Sequence, residues 1–339
     1  MPGSKDLLEI QFTPDTAPLH IGPCGPDDEA TLQASDPRCS ATRRRWLRAA
    51  PEGIETWGAW TPDGRLVHHL SLLPQRALED GQEVTWSLVV DAISDASLPR
   101  DLRRRSGFVA LARALCEARG GPDADTLHYG LPPRSHYRVG RAELDFDACR
   151  NQNLLTLQVE DAPAAASMDL RVDELPTFPE ELDAFARVAC EGRAAHVVRD
   201  ARLLNWRHVA APHGPASLCL VRDPDGALRG YGVHRSTELL GQRTGVLVDQ
   251  LVRPGDDEAL SVLVAWAAER SRTDTAAEGR LATLVSDTSP EWLALQRMGL
   301  RVQPTRRFLT ARSYVKRHDL RWLYWNGHFT WGDLEASFA

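Results

Sequence analysis

The sequence predicts an α/β (α+β) protein made of two tandem copies of one unit, each a mixed, mostly antiparallel sheet flanked by helices. Three observations carry this expectation. Trp46, in Arg45-Trp46-Leu47-Arg48-Ala49-Ala50-Pro51, is echoed by Trp206 in Asn205-Trp206-Arg207-His208-Val209-Ala210-Ala211-Pro212. Pro62-Asp63-Gly64 and Pro224-Asp225-Gly226 each lie between apolar runs, and Asp-Gly between candidate strands signals a hairpin. An apolar strand ends in aspartate in both copies, at Asp91 and at Asp249, and an amphipathic helix follows each. With the pair Gly140 and Gly299, the echoes stand 160, 162, 158 and 159 residues apart in one order. Four matches at one spacing point to duplication.

Residues 1–40 are rich in Pro, Gly and Asp, with one strand expected at 7–12. Each copy then reads as helices ending near the tryptophan, a hairpin, a longer strand ending in aspartate, a helix, a strand, a short helix and closing strands. That order suits helices packed on a mostly antiparallel sheet. The expected domains are 1–159, 168–315 and an aromatic tail at 316–339. The linker is Glu160-Asp161-Ala162-Pro163-Ala164-Ala165-Ala166-Ser167, low in bulky side chains, and 179–191 is the first helix of the second copy.

Composition narrows the function classes. The chain has 339 residues, 42% of them hydrophobic, enough for about two domains of ordinary size. Its formal net charge is -7, so the whole surface is not built to coat nucleic acid or an anionic membrane. The only lysines are Lys5 and Lys316; the other basic side chains are arginines, which favour planar recognition of phosphates and carboxylates. Six cysteines, at 24, 39, 116, 149, 190 and 219, contain no Cys-x-x-Cys pair, which argues against a disulfide framework and a zinc site. Neither a signal-peptide pattern nor a bilayer-spanning stretch is present, so the expected location is the cytoplasm.

The chemistry centres on residues 84–118, which read as strand, basic loop and helix. The loop carries Arg100, Arg103, Arg104 and Arg105 against Asp101 and delivers Ser106 and Gly107 to the helix start. There, backbone N–H groups lack intrahelical partners and the helix dipole is positive, so a phosphate is attracted. The stretch resembles the acyl-CoA binding segment of the GNAT (Gcn5-related) N-acyltransferases, whose signature is Gln/Arg-x-x-Gly-x-Gly/Ala. Here it is Arg104-Arg105-Ser106-Gly107-Phe108-Val109, with Val109 at the position where the family has Gly or Ala. Tyr137-Arg138-Val139-Gly140 resembles the tyrosine region after the family's fifth strand. Leu204-Asn205-Trp206-Arg207, Gly230-Tyr231-Gly232-Val233, Val248-Asp249 and the aromatic tail resemble tandem GNAT-like proteins associated with surface polysaccharide pathways.

The resemblance implies an acyl-CoA dependent N-acyltransferase that moves an acetyl group onto a small amine or amino sugar, with acetyl-CoA or another acyl-CoA as co-substrate and no metal. It implies cofactor contacts from Ala92, Ile93, Arg103, Arg104, Arg105, Ser106, Gly107 and Phe108. Tyr137 would protonate the leaving thiolate, with His136 as an adjacent alternative, and Asp91 would take the amine's proton. The recurrence of Asp249 in the second copy fits a shared structural role for these aspartates equally well. In that copy the turn reads Val252-Arg253-Pro254-Gly255-Asp256-Asp257-Glu258, whose carboxylates would repel a pyrophosphate, so the cofactor is expected in the first half.

Other constellations are weaker. His68 and His69 alternate across a strand and cannot face one metal together, and Asp123-Ala124-Asp125 follows Gly120-Gly121-Pro122 as a turn. Arg306, Arg307, Arg312, Lys316, Arg317 and Arg321 are exposed strand positions or a patch for an acidic substrate. The aromatic tail, with Trp322, Tyr324, Trp325, Phe329, Trp331 and Phe338, is expected to pack across the halves or line a pocket. Two alternative readings stand beside the acyltransferase. One is a Fem-type transferase drawing aminoacyl-tRNA to residues 306–321; the other is a non-catalytic scaffold that has lost CoA.

Overall fold

The computed structural model describes residues 8–10, 18–28, 30–32, 40–95, 106–163, 169–212, 214–239, 241–273 and 279–334. The first half contains β1 (Leu8–Ile10), β2 (Leu19–Pro23), α1 (Ala41–Arg48), β3 (Glu55–Trp60), β4 (Leu66–Glu79), β5 (Gln82–Ser94), α2 (Ser106–Arg119), β6 (Asp125–Gly130), α3 (Arg134–Glu143), β7 (Asp147–Asn151) and β8 (Leu154–Gln158). The second contains β9 (Arg171–Leu175), α4 (Glu181–Ala189), β10 (Ala195–Val197) and α5 (Ala201–Leu204), which runs into a π turn at Asn205–Val209. There follow β11 (Ser217–Arg222), β12 (Leu228–Leu239), β13 (Gln242–Val252), α6 (Asp257–Thr273), β14 (Arg280–Thr283), α7 (Pro290–Arg297), β15 (Arg301–Gln303), β16 (Phe308–Ser313), α8 (Leu320–Asn326) and β17 (Gly327–His328). The mixed α+β class is as expected. Both Pro-Asp-Gly turns join antiparallel neighbours, β3 to β4 and β11 to β12.

Local chemistry accounts for the boundaries. Ser40 accepts from the Arg43 amide at 3.2 Å and starts α1, and Asp200 accepts from the Leu203 amide at 2.7 Å and starts α5. Strand β4 is buried along its first eight residues because it lies centrally, with helices on one face and the other half on the opposite face. Leu111, Ala112 and Leu115 of α2 are at most 1% exposed against β2, β3 and β4.

The sheets exchange a strand. One runs β1-β2-β3-β4-β5-β6-β16-β7, with β10 added against β4 and β17 against β10; the other runs β15-β8-β14-β13-β12-β11-β9. Strand β16, late in the second copy, thus sits between β6 and β7 of the first sheet. Strand β8, which precedes the linker, sits between β14 and β15 of the second. The two insertions fall at equivalent places, and the chain boundary near 160 is crossed by the sheets.

The echoed tryptophans meet each other reciprocally where the two copies join. The rings of Trp46 and Trp206 stack with centroids 4.8 Å apart and planes 10° from parallel. Trp46 Nε1 donates to the Trp206 carbonyl at 2.9 Å, and Trp206 Nε1 donates to the Trp46 carbonyl at 2.8 Å. Each indole therefore satisfies its N–H on the other copy's backbone while burying its ring. One core cluster runs continuously from Trp46, Trp86 and Tyr129 to Leu218, Tyr231 and Phe329.

Candidate functional site

The site arises where two parallel strands part. Strands β5 and β6 pair from Thr85 and Asp125 up to Leu88 and Tyr129, and their register goes no further, although β5 continues to Ser94. A bulge in β5 opposite Leu70 adds to the separation: His69 faces Ile93 and Ser71 faces Val90, leaving Asp91 and Ala92 against a single residue. Asp91 takes φ 51° there, a conformation that aspartate tolerates better than most side chains. Residues of α1, α2 and α3 line the gap.

The result is a cavity of about 160 Å³. Its walls are mainly apolar: Leu70 and Leu72 of β4, Val89 to Ile93 of β5, Phe108, Ala112 and Cys116 of α2, and Leu144 and Phe146 at the end of α3. Polar groups converge at a few points, namely Arg43, Asp91, His136, Tyr137 and Thr310, the usual make-up of a ligand pocket. Thr310 belongs to β16, so the second half completes the first half's cavity; its hydroxyl donates to the Gly130 carbonyl at 3.3 Å.

Of the residues singled out in the sequence, Asp91, Ala92, Ile93, Phe108 and Tyr137 share this cavity. Tyr137 stacks on Phe308 at 5.8 Å and donates its hydroxyl to Asp147 Oδ1 at 3.3 Å. His136 stacks on Phe108 at 6.0 Å. Arg103, Arg104 and Arg105 lie outside the described residues, as does the side chain of Ser106, the first residue of α2. Sequence reasoning missed Arg43, Leu70, Leu72, Cys116 and Thr310. Leu70 and Leu72 share one face of a long strand, a signal visible as alternation, whereas nothing local marks Thr310.

Two of these residues have structural partners of their own. Gly107 has a packing reason of its own: a Cβ there would lie 2.8 Å from His68 Nε2 and 2.9 Å from Leu19 Cδ1. A side chain there would have to push the His68 imidazole or the Leu19 methyl aside, so glycine has a packing role beneath the α2 terminus whether or not an anion sits above it. Asp91, expected as a base, has a carboxylate 3% exposed that pairs with Arg43 through Oδ1 and with Arg44 Nη1 through Oδ2 at 3.2 Å. That is the geometry of an ion pair fastening α1 to the bulge. His68 faces the same region with Nδ1 2.8 Å from Ser94 Oγ, and burial pushes its imidazole down to about 4, so it is neutral near pH 7.

The equivalent place in the second half is filled by the chain itself. Strands β13 and β14 pair only from Gly245 to Leu247, and β13 carries its own bulge at Val248. Into the gap runs the segment after β17. The Gly332 amide donates to the Val248 carbonyl at 2.8 Å, and Thr330 Oγ1 donates to Asp249 Oδ1 at 3.1 Å. A Cβ on Gly332 would meet Asp249 Oδ2 at 2.7 Å, so only glycine passes. Asp333 pairs with Arg199 and, at 3.1 Å, with Arg207 Nη1, sealing the segment into a fully buried charge cluster with Asp249. Burial would raise the Asp249 carboxyl, but the Arg199 guanidinium and His208 hold it well below the usual carboxylate range. At α6, Asp256 Oδ1 accepts from the Ala259 amide at 3.1 Å and binds Arg229 at 2.7 and 2.8 Å. A resident carboxylate thus occupies the helix terminus where an anion would bind.

The tail packs across the halves, as expected from its aromatics. Phe329 is fully buried and stacks on Trp86 at 5.7 Å, and Trp322 stacks on His318 at 4.0 Å. Trp325 is 62% exposed, and Phe338 lies outside the described residues. Arg306, Arg307, Lys316, Arg317 and Arg321 are exposed, while Arg312 lies over the Tyr314 ring at 4.9 Å. The described cysteines are free thiols. No described helix is long and apolar enough to cross a membrane.

Solved structures share this architecture. A GCN5-related N-acetyltransferase from Anabaena variabilis ATCC 29413 superimposes with a TM-score of 0.65 at 11% identity, over 88% of this chain and 73% of that one. One from Kribbella flavida gives 0.60 at 13% identity, over 89% and 72%. A tandem GNAT protein from the clavulanic acid biosynthesis pathway gives 0.54 at 17% identity, over 88% of this chain and 99% of that one. The fold is that of a tandem GNAT protein. At these identities the likeness is one of fold, and the GNAT architecture here is carried by both halves. No protein-family model matches the sequence, and no curated protein matches it either.

Proposed function

We propose that this protein is an acyl-CoA dependent N-acyltransferase whose single cofactor site lies in the first half, and that it acylates a small amine or amino sugar. One observation carries the reading: the gap between parted strands is an open, apolar cavity leading from the α2 terminus in the first half, while its counterpart is plugged by residues 329–334 and capped by Asp256. The pyrophosphate would meet the α2 terminus and the arginines before it, and the pantetheine arm would run between α2 and α3 beside the unpaired edge of β5.

In the reaction, the amine nitrogen attacks the thioester carbonyl carbon, a C–N bond forms, and collapse of the tetrahedral intermediate breaks the C–S bond. Tyr137 gives its phenolic proton to the departing thiolate and regains one through water from the amine, so the products are amide and CoA thiol. Asp91 holds Arg43 and Arg44 at the bulge, and holding the two reactants in register supplies much of the rate. Calorimetry with acetyl-CoA, against desulfo and 3′-dephospho controls, tests the reading. One equivalent should bind per chain, and Arg104→Ala with Arg105→Ala should weaken it at least tenfold. Two equivalents, or no response to any CoA species, would defeat it.

A further inference from the structure

A buried imidazole lies directly under the first turn of α2. His68 is 2% exposed, and its Nδ1 sits 2.8 Å from Ser94 Oγ at the end of β5. The opposite edge of the ring rests on Gly107, the second residue of α2: a Cβ there would meet Nε2 at 2.8 Å and Cδ2 at 3.0 Å. Glycine thus brings the imidazole up to the backbone whose N–H groups open the helix. Nε2 has no hydrogen-bond partner among the described residues. Around the ring stand Phe108, edge-on at 6.2 Å, with His136 stacked on it in turn, and Asp95, which pairs with Arg65.

We propose that an anion seated at the α2 terminus draws a proton onto His68, so that the imidazolium becomes a buried counter-charge beneath the diphosphate of the acyl-CoA. The inference rests on the acyl-CoA reading above. In the empty site burial keeps the ring neutral, with Asp95 pulling weakly the other way, and a cation under a helix N-terminus also opposes the dipole. A bound diphosphate reverses the sign of that local field. Charging the ring needs only a turn of the Ser94 hydroxyl, which then accepts from Nδ1–H while Nε2–H faces the terminus. A unit charge about 6 Å away, at an effective dielectric of about 20, is worth about a hundredfold in proton affinity. At pH 5.5 the empty ring is then mostly neutral and the loaded one mostly charged, whereas at pH 7.5 both are neutral.

The experiment is calorimetry of acetyl-CoA binding to the full chain at pH 5.5 and 7.5, in buffers of different ionisation enthalpy, so that proton uptake is counted directly. The 3′-phosphate titrates in the same range, so the readout is the difference between the unaltered protein and His68→Gln. At pH 5.5 the unaltered protein should take up roughly 0.7 proton more than the variant, and its affinity should gain about fourfold more between pH 7.5 and 5.5. At pH 7.5 the two should bind within threefold of each other. Asp95→Asn, a change near the surface that leaves the core intact, weakens the imidazolium and should lower the uptake as well. Equal uptake by the unaltered protein and both variants would overturn the inference and leave the acyl-CoA reading standing. Absence of binding at either pH would overturn both.

Discussion

Replacing Asp333 by Asn keeps the side chain's size and removes its charge from a cluster that water cannot reach. Arg199, Asp249 and Asp333 have fully buried side chains, and that of Arg207 is 4% exposed. Two guanidiniums face two carboxylates, so the cluster is balanced. Asp333→Asn leaves a surplus positive charge in the interior, weakens the pairs to Arg199 and Arg207, and disturbs the 2.9 Å bond that Oδ2 accepts from the Thr330 amide. Breaking one partner of a buried pair costs about 3–5 kcal/mol. Urea unfolding should register that loss. Asp319→Asn supplies the comparison, since Asp319 caps α8 through a 2.8 Å bond to the Trp322 amide and asparagine caps a helix about as well as aspartate, so little loss is expected there. Removing one charge of each sign, as Arg199→Met with Asp333→Leu, should recover at least half of the loss. If Asp333→Asn costs no more than Asp319→Asn, the tail is not locked electrostatically into the second half and the account of the plugged gap fails.

Acid should weaken the fold before the carboxylates titrate. Burial holds His68 and His196 near 4, against an ordinary 6.5, so between those values the unfolded chain binds more protons and stability rises with pH. Each histidine should take about 2 kcal/mol from stability by pH 5, with the buried His128 and His328 acting in the same direction, and a stability flat from pH 7 to 5 would contradict this. Trp46→Ala empties one side of the stacked tryptophan pair and leaves the Trp206 carbonyl without its indole donor; a loss of about 3–5 kcal/mol by denaturant unfolding is expected. Tyr137→Phe should lower kcat about a hundredfold while acetyl-CoA affinity stays within threefold, and a weakened affinity with kcat intact would assign Tyr137 to binding.

The doubled plan was legible because its markers are local. An indole, an Asp-Gly turn and an aspartate late in an apolar strand can be read without knowing what lies across the sheet. Strand exchange was not legible, since Leu154–Gln158 and Phe308–Ser313 carry ordinary strand patterns that would suit either sheet, and the choice of partner is made by topology. Asp91 shows a different limit. Its strand was correctly read, but β5 runs on to Ser94 with Asp91 at a bulge inside it, and the two arginines that engage it come from a helix 47 and 48 residues earlier, so its partners appear only once α1 folds over the bulge. Gly107 fitted a phosphate motif on sequence, yet the imidazole and leucine packed beneath it are contributed by β4 and β2, which no spacing along the chain reveals.

Trading β8 for β16 ties the fates of the two copies together. A duplicate with no open cleft of its own could ordinarily be whittled down or discarded, but here its removal would take Thr310 and the strand beside β6 away from its sibling. The second copy is in effect a permanent structural subunit carried on the same polypeptide. Cutting the chain near residue 160 should therefore yield two fragments that are each incomplete alone and able to restore one another when mixed.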